Sequence, residues 1–365
     1  MVGITPPIKK HYTPLTLEQF YAEWNNASPH ILVHTSGSTG KPKPIKAEKM
    51  RMLASARQTC DFLSLHPGDT ALLCMPLDYI AGKMVVVRSI ERGLRLLSVP
   101  PSNHPLRDIL PHPSADGEAC SPPSITFAAM VPSQVFCSLS DPEEKALFSQ
   151  IRHVIIGGGA ISPELSSMLR DMPNNIWSTY GMTETLSHIA LRRVNGREAS
   201  EWYEPFPSVR VSLCHDAMLS GRKGLLVIDA PAICDSPLLT NDICELHSDG
   251  HRFRVLGRKD NVICSGGIKL QIEEIEKALS RKLPFPFCIT KRHDAKFGEI
   301  AVLLAAIGDD VEAQEKAKAS CASAFLSLPR YSVPKDIVFC CAIPLTATGK
   351  IDRAACAELC SHGGL

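Results

Sequence analysis

The sequence predicts an α/β fold in which a large N-terminal domain of mainly parallel sheet and helices is followed by a β-rich subdomain and a small α+β domain. Three observations predict it. Short apolar runs alternate with helical patterns up to residue 187, and short β-type runs joined by turn residues follow. After residue 259 a polar loop leads into an amphipathic helix. We therefore place the domains at residues 1–259 and 260–365.

The first domain begins with its alternating elements. A helix is predicted over residues 47–63, with Met50, Leu53, Ala54 and Leu63 on one face. Strands are predicted at 70–75, 94–99, 125–131, 151–156 and 176–179, and helices at 81–92, near 133–149 and at 163–171. Apolar strands separated by helices are typical of a parallel sheet covered on both faces. The Pro/Ser-rich stretch 100–123 predicts an irregular surface excursion.

The pattern changes after residue 187, where five short β-type runs predict a mixed or antiparallel region. The helix that follows the loop at 257–267 places Ile272, Ile275 and Leu279 on one side. This helix opens the small C-terminal domain.

Composition argues against several classes of protein. The 365 residues carry a net charge of +1 and no dense block of Lys and Arg, which argues against nucleic-acid binding. No apolar stretch has the roughly 20 residues of a membrane helix, and the N-terminus lacks a signal-peptide core. The 14 cysteines form no CxxC pair, so we expect reduced thiols, no zinc site and a cytoplasmic location.

A glycine- and hydroxyl-rich segment, HTSGSTGKPK at residues 34–43, follows the apolar run 31–33. Such a backbone is typical of an anion-binding loop, because N–H groups must approach the anion closely. The Walker pattern does not fit, since Gly37 and Gly40 are too close together and Pro42 follows Lys41. A dinucleotide fingerprint at residues 157–160 lacks the third glycine.

The same segment resembles the phosphate loop of the adenylate-forming (AMP-binding) superfamily of acyl- and aryl-CoA synthetases and peptide-synthetase adenylation domains. The resemblance implies that ATP phosphates are bound by Thr35, Ser36, Gly37, Ser38, Thr39, Gly40 and Lys43. Glycines let the backbone surround the phosphates, hydroxyls donate hydrogen bonds, and the lysine supplies positive charge.

Three further stretches resemble motifs of that superfamily in the expected order. Residues 180–185, YGMTET, match the YGxTE motif, which implies that Tyr180 and Gly181 contact adenine, Thr183 the α-phosphate, and Glu184 a Mg²⁺ ion. Gly157, Gly158 and Gly159 would form the other wall of the adenine slot. Residues 240–242 (TND) and 257–260 (GRKD) match elements that imply Asp242 on the ribose, Arg258 on the nucleotide and Asp260 as the domain hinge.

The C-terminal stretch PLTATGKIDR, residues 344–353, resembles the PxTxxGKxxR signature. The resemblance implies that Lys350 stabilises the charge that develops during adenylation, and that Thr183 and Glu184 assist it. It also implies a mobile C-terminal domain, whose rotation about Asp260 brings Ser265, Gly266 and Gly267 to a CoA channel. The alternative for these three residues is a tight turn before the amphipathic helix.

The implied reaction activates a carboxylic acid with ATP and Mg²⁺ and then transfers the acyl group to the thiol of CoA. The short N-terminal part is similar to compact members of the superfamily, the o-succinylbenzoate–CoA ligases of menaquinone biosynthesis. Stretches around Arg88, Ser133 and His188 resemble their acid pocket, so these residues are the candidate acid-binding groups. Alternatively, Arg88 reaches the surface or forms a structural ion pair.

The sequence also allows other interpretations of the substrates. The acid could be another aryl or short-chain acid, and the thiol could belong to a carrier protein. A homodimer would be one way to cover the flank that the short N-terminal part leaves exposed.

Overall fold

The computed structural model describes residues 14–34, 44–110, 122–215, 221–346 and 350–361. The strands are β1 (His30–His34), β2 (Pro44–Glu48), β3 (Thr70–Leu73), β4 (Arg95–Ser98), β5 (Phe127–Met130), β6 (His153–Ile156), β7 (Asn175–Gly181), β8 (His188–Arg193), β9 (Glu204–Pro205), β10 (Arg210–Cys214), β11 (Lys223–Asp229), β12 (Leu238–Leu246), β13 (Phe253–Arg258), β14 (Val262–Ser265), β15 (Ile268–Gln271), β16 (Phe287–Asp294), β17 (Gly298–Ala306) and β18 (Asp336–Cys340).

The α-helices are α1 (Leu17–Asn25), α2 (Lys49–Phe62), α3 (Ile80–Arg92), α4 (Pro132–Ser140), α5 (Pro142–Gln150), α6 (Pro163–Leu169), α7 (Ile272–Leu279), α8 (Val311–Phe325) and α9 (Arg353–Ser361). The predicted alternation of strands and helices up to β7 is therefore present. In the stretch 100–123 the described residues hold one short 3₁₀ helix, Arg107–Ile109.

A seven-stranded sheet in the order β4-β3-β5-β6-β7-β8-β9 forms the centre of the first domain. Strands β3 to β7 are parallel, whereas β8 and β9 run antiparallel to their neighbours. All four residues of β5 and of β6 are buried, as expected for parallel strands covered on both faces. The chain leaves β3 for β4 on one side and reaches β5 on the other, so the strand order reverses at β3. Ligand crevices in open α/β sheets form at such a point, beyond the carboxyl ends of the strands.

Two local predictions in this domain are wrong. Helix α2 buries Met52, Ala56 and Cys60, whereas Met50 of the predicted face is 69% exposed. Of the other predicted residues, Leu53 packs partly buried against the core and Leu63, which ends the helix, is buried. The buried face also carries Ser55 and Thr59. Because these residues are polar, the spacing of apolar residues alone does not identify this face. The helical region near 133–149 is two helices, because Asp141 ends α4 and its carboxylate accepts N–H bonds from the first turn of α5.

Helix α1 was not predicted from the sequence. It starts with a capping box in which the Thr16 hydroxyl accepts from the Gln19 N–H and the Gln19 side chain accepts from the Thr16 N–H. Its Phe20 is buried in the core.

The β-rich region and the C-terminal part have separate sheets. Strands β10 to β13 form a four-stranded antiparallel sheet in chain order, and β14 to β18 form a five-stranded sheet. Sheet membership thus changes between Arg258 and Val262, next to the predicted boundary. Helix α7 buries Ile272, Ile275 and Leu279, which confirms the predicted face. Within the described residues, no helix is long and apolar enough to span a bilayer.

Candidate active site

A cavity of 610 Å³ lies beyond the carboxyl ends of the parallel strands β3, β5, β6 and β7. The first turn of α3 and residues 101–103 complete its walls. Eight of the residues predicted for the site line this one cavity, although they are spread over more than 260 positions of the chain: Arg88, Ser133, Gly157, Gly158, Gly181, Thr183, His188 and Lys350.

Lys350 brings a cation from the C-terminal part into this cavity. Its backbone N–H donates to the Thr346 hydroxyl at 3.2 Å, and its carbonyl accepts from the Thr346 N–H at 2.7 Å. Burial lowers the pKa of the Lys350 ammonium; Arg258 lowers it further, and Asp242 opposes both effects. The ammonium therefore lies within electrostatic reach of the two residues predicted to hold the nucleotide.

Tyr180, Asp242 and Arg258 form a hydrogen-bonded cluster. The Tyr180 hydroxyl donates to Asp242 Oδ2 at 2.6 Å, and Arg258 Nη1 donates to Asp242 Oδ1 at 3.0 Å. Burial, followed by the negative charge of Asp242, raises the pKa of the Tyr180 phenol. The Asp242 carboxylate is 8% exposed and is held by these neighbours in a fixed orientation. Three residues from three separate motifs thus meet at one carboxylate.

Asp260 adjoins this cluster. Arg258 Nη2 donates to Asp260 Oδ2 at 2.9 Å, and the Asn241 side chain lies 3.4 Å from the same oxygen. Asp260 belongs to the short 3₁₀ helix Lys259–Asn261, between the last strand of one sheet and the first strand of the next. Asp260 therefore lies in the connection between the two sheets, and its role as a hinge stays a prediction.

The same cavity is lined by Arg88, which is 2% exposed. Its Nη2 donates to the Ser187 hydroxyl at 2.7 Å, and its Nε has no hydrogen-bond partner among the described residues. None of the ion pairs formed among those residues includes Arg88. Burial lowers the pKa of the guanidinium to about 10. Arg88 therefore does not reach the surface, and the described part of the chain supplies no carboxylate to pair with it.

His188 lies next to this arginine and is also buried. Its Nε2 is 3.0 Å from the Thr59 hydroxyl, and its Nδ1 is 3.3 Å from the Ser187 hydroxyl. Burial and the positive charge of Arg88 lower the pKa of His188 well below 6.5, so the imidazole is neutral at pH 7. Of His188 and Arg88, only Arg88 is therefore positively charged at pH 7.

Ser187 was not among the predicted site residues, although it lies in the stretch that resembles the acid pocket. Its hydroxyl links Arg88 to His188, and the residue lines the cavity. Sequence could not select it, because serine in a turn is common and its contact with α3 is 99 residues away in the chain.

Glu184 lies apart from the first cavity, on the wall of a second one of 490 Å³. Thr183 and Glu184 belong to one short 3₁₀ helix, so neighbouring residues face two adjoining cavities. Lys46 and Arg51 also line the second cavity; they were not predicted, and the Arg51 side chain already pairs with Asp235 and Glu48.

The carboxylate of Glu184 is the kind of ligand that Mg²⁺ takes together with phosphate oxygens. Among the described residues no group of three or more His, Cys, Asp or Glu could hold a metal by itself. A single carboxylate fits a metal ion held mainly by a nucleotide and water, and it does not fit a resident metal cage. The predicted Mg²⁺ ligand is thus chemically suitable for a metal that arrives with ATP.

Ser265, Gly266 and Gly267 lie outside both cavities. Gly266 and Gly267 are the two turn residues of the β14–β15 hairpin, with φ of +56° and +83°. Positive φ at both positions is the pattern of a type I′ turn, which glycine adopts at little cost. The alternative of a tight turn is therefore correct in geometry, and the CoA-channel role remains a prediction.

The predicted phosphate loop, Thr35 to Lys43, lies outside the described residues, as do Thr348 and Gly349 of the C-terminal signature. Strands β1 and β2, which flank the loop, pair antiparallel from His30 with Glu48 to His34 with Pro44. Gly159 is placed at the end of β6 but does not line the cavity.

Comparison with known proteins gives consistent results. The chain is 25% identical over 357 residues to the 2-succinylbenzoate–CoA ligase of Bacillus cytotoxicus, covering 92% of this chain and 71% of that protein. It is 24% identical over 374 residues to the enzyme of the same name from Enterococcus faecalis, covering 96% and 74%.

Two solved structures have a similar fold. The acyl-CoA synthetase (AMP-forming)/AMP-acid ligase II-like protein from Dyadobacter fermentans is 33% identical, with a TM-score of 0.58 and coverage of 92% of this chain and 91% of that one. The o-succinylbenzoate CoA synthetase (MenE) from Bacillus subtilis, solved with OSB-AMP, shares the fold with a TM-score of 0.69 at 22% identity and coverage of 88% and 68%.

A sequence profile described as AMP-binding enzyme matches residues 8–234, which is more than half of the chain. The predicted superfamily and the predicted resemblance to 2-succinylbenzoate–CoA ligases are both confirmed. The chain belongs to the AMP-binding enzyme family.

Proposed function

We propose that this protein is an ATP-dependent acid–CoA ligase that acts on 2-succinylbenzoate. One observation carries the choice of acid: Arg88 is a buried guanidinium without a carboxylate partner among the described residues, in the same cavity that Lys350 enters. A buried cation is costly unless an anion pairs with it, so the cavity favours a ligand that brings one. The names of the relatives supply the particular acid.

The acid is a dicarboxylate with an aromatic ring and a keto group. One carboxylate is activated, and the other requires a cation and hydrogen-bond donors at the far end of the pocket. Arg88 provides the cation, and Ser133 lines the same cavity with a hydroxyl. The neutral His188 adds no second charge, so a single carboxylate is matched by a single guanidinium.

In the first half-reaction the acid's carboxylate oxygen attacks the α-phosphorus of ATP, an acyl-adenylate forms and pyrophosphate leaves. The Lys350 ammonium stabilises the negative charge that develops on the carboxylate and phosphate oxygens, with the Thr183 hydroxyl as a further donor. Asp242 accepts from the ribose, and Gly181 with the backbone of Gly157 and Gly158 lines the space for the adenine. Tyr180, whose hydroxyl donates to Asp242, is the predicted ring contact of the adenine.

Mg²⁺ would be held by Glu184 and would supply charge neutralisation on the phosphates. The residues of this chain that place the triphosphate are the predicted phosphate loop, including Lys43, and the helical turn that carries Thr183 and Glu184.

In the second half-reaction the CoA thiol attacks the acyl carbon, a thioester forms and AMP leaves. Lys350 then occupies space that the thiol needs. Rotation of residues 260–365 about Asp260 removes Lys350 and brings the Ser265–Gly267 turn to the site. The absence of side chains on Gly266 and Gly267 suits a narrow channel for a pantetheine arm.

The direct test incubates the purified protein with ATP, Mg²⁺, CoA and 2-succinylbenzoate and detects the thioester and AMP by mass spectrometry. Parallel reactions contain benzoate, short-chain acids and, in place of CoA, an acyl carrier protein. The proposal predicts 2-succinylbenzoyl-CoA as the main product. Thioester formation only with another acid, or only on the carrier protein, would contradict the assignment of the substrate.

A further inference from the structure

The β3 and β5 strands diverge at the mouth of the cavity. They pair at two positions, Ala71 with Phe127 and Leu72 with Ala128, whereas β5 and β6 pair along all four residues of each. Beyond Leu72 the ladder between the two strands stops, and the described contact between the segments is that of Cys74 Sγ, 3.5 Å from the Ala129 carbonyl oxygen. Residues 75–76 and 129–131, which follow this point, line the cavity. The backbone carbonyls there need partners other than a neighbouring strand.

The side chain of Gln134 bridges these segments. Its Nε2 donates to the carbonyl of Cys74, just beyond β3, and to the carbonyl of Ser102, each at 2.9 Å. Its Oε1 accepts from the Val131 N–H, just beyond β5, at 3.1 Å. One amide that is 5% exposed thus joins three segments of the cavity wall.

These three contacts fix the orientation of the amide. A backbone N–H requires Oε1 on its side, and two carbonyls require both hydrogens of Nε2. The bond from Val131 alone would be an ordinary helix cap, because Gln134 is the third residue of α4. The two donated bonds go beyond a cap, since they hold segments that the helix does not contain.

The position of Arg88 depends on the same wall. Cys74 precedes Met75 and Pro76, and α3 packs against Pro76 so closely that a Cβ on Gly82 would lie 2.3 Å from the Pro76 oxygen. Helix α3 carries Arg88. Gln134 holds the segment that follows β3 at a set distance from α4. A shift of that segment would act on α3, and so on Arg88, through the Pro76–Gly82 contact.

A second set of contacts anchors the segment that follows Ser102. His104 Nδ1 lies 2.6 Å from a carboxylate oxygen of Glu144, which is fully buried and also accepts from the Ser138 hydroxyl at 2.8 Å. Arg107 Nη2 also donates to Asp141 Oδ2, at the start of α5, at 2.7 Å. Of the residues that hold this wall to α4 and α5, Gln134 is the one that lines the cavity.

We infer that Gln134 is a positioning residue that sets the width of the acid pocket and thereby the discrimination between acids of different size. The inference rests on the proposed ligase function. Gln134 acts through the walls and Arg88, because its Nε2 hydrogens and its Oε1 are already engaged by the protein. Its length is the relevant property: a shorter amide draws the walls together, and an apolar isostere releases them.

The chain contains a matched control. Asn195 is 1% exposed, its Nδ2 donates to the carbonyls of Met172 and Asn174 at 2.8 Å each, and its Oδ1 accepts from the Ile176 N–H at 3.2 Å. It makes the same three kinds of bond as Gln134, near the amino end of β7, and its Oδ1 also accepts from Arg193 Nε at 2.9 Å. Asn195 does not line the cavity.

The experiment compares Gln134→Met, Gln134→Asn and Asn195→Leu with the wild type. KM for 2-succinylbenzoate, for a smaller aryl acid and for ATP is measured, together with Tm. Acid binding in the presence of a non-hydrolysable ATP analogue is measured by calorimetry, so that the comparison does not depend on turnover. If the wild type prefers another acid, that acid replaces 2-succinylbenzoate; the proposed function then fails in the wild type, while the inference is still tested by the variants.

We expect Gln134→Met to raise KM for the preferred acid on the order of tenfold, with KM for ATP unchanged, because two buried donors to the acid wall are lost. Gln134→Asn is expected to shift the preference toward the smaller acid. Asn195→Leu is expected to lower Tm without changing the ratio between acids.

Two results would overturn the inference. One is an unchanged ratio between acids in both Gln134 variants, or a change in ratio that Asn195→Leu reproduces. The other is loss of the folded protein in both Gln134 variants, which would assign the residue to stability alone.

Discussion

Two cations line the cavity, Arg88 and Lys350, and they are held in different ways. Arg88 lies on α3, is 2% exposed and donates to a neighbouring serine. Lys350 lies outside regular secondary structure in the C-terminal part, and it lines the same cavity. Burial lowers the pKa of both groups.

This difference indicates a division of work. A cation built into a buried helix cannot leave, so it suits a group that stays bound through both half-reactions, such as a distal carboxylate. A cation on a loop of a second domain can be withdrawn, so it suits a charge that exists in one step only.

The largest effect is expected for Lys350→Ala. We expect pyrophosphate exchange to fall by at least about 100-fold, because a preorganised charge contact in the transition state is lost. The variant should still convert a pre-made acyl-adenylate to the thioester with CoA. Lys316→Ala, on the exposed face of α8, is the control. Equal losses in both half-reactions would mean that Lys350 is not specific to the adenylation step, and its contrast with Arg88 would be lost.

Arg88→Ala is expected to act on acid recognition. KM for 2-succinylbenzoate should rise roughly 10- to 100-fold, because hydrogen bonds to a buried charge are lost. KM for a monocarboxylic aryl acid should change far less, and the ratio of the two is the measurement. Arg210→Ala, whose side chain is 79% exposed on β10, is the control. An unchanged ratio would exclude Arg88 from the acid pocket.

Asp260→Pro tests whether Lys350 must leave the cavity before the thioester forms. Proline fixes φ and stiffens the connector between the two sheets, so thioester formation should fall about tenfold or more while pyrophosphate exchange persists. The two half-reactions are measured separately. Parallel loss of both would indicate that Asp260 serves the adenylation geometry through its contact with Arg258, and that it is not a pivot.

The smallest effect concerns His188, the neutral neighbour of Arg88. Its pKa is held well below 6.5 in the folded protein, so the unfolded chain binds a proton first as the pH falls. The free energy of unfolding should therefore decrease by about 1.4 kcal/mol per pH unit below 6.5 through this group. Urea unfolding at pH 7.5, 6.5 and 5.5 measures it, and His188→Gln should show a smaller slope. The same slope in both proteins would mean that His188 is protonated beside Arg88.

The sequence predicted residues of this cavity from both the nucleotide motifs and the acid-pocket stretches, but with different kinds of evidence. Motif residues such as Tyr180, Asp242 and Lys350 are recognisable because their spacing is local, and the fold then brings them together. Whether Arg88 points inward depends on the packing of α3 against the sheet, and no local pattern reports that. The role of Gln134 depends on two strands that diverge, which is a property of the sheet as a whole.

The fold shows the same limit. The alternation of strands and helices and the buried face of α7 follow from periodicity, and both predictions hold. Helix α2 was predicted in the wrong phase because its buried Thr59 serves the polar contact with His188. A polar residue that is buried because it has a polar partner cannot be detected by a rule based on apolar spacing.

The most direct test of the central claim is a crystal structure with a non-hydrolysable sulfamoyl mimic of 2-succinylbenzoyl adenylate. We predict that Arg88 pairs with the distal carboxylate while the Lys350 ammonium lies at hydrogen-bonding distance from the sulfamoyl group. A structure in which the aromatic carboxylate lies away from Arg88, with Lys350 outside the cavity, would contradict the account.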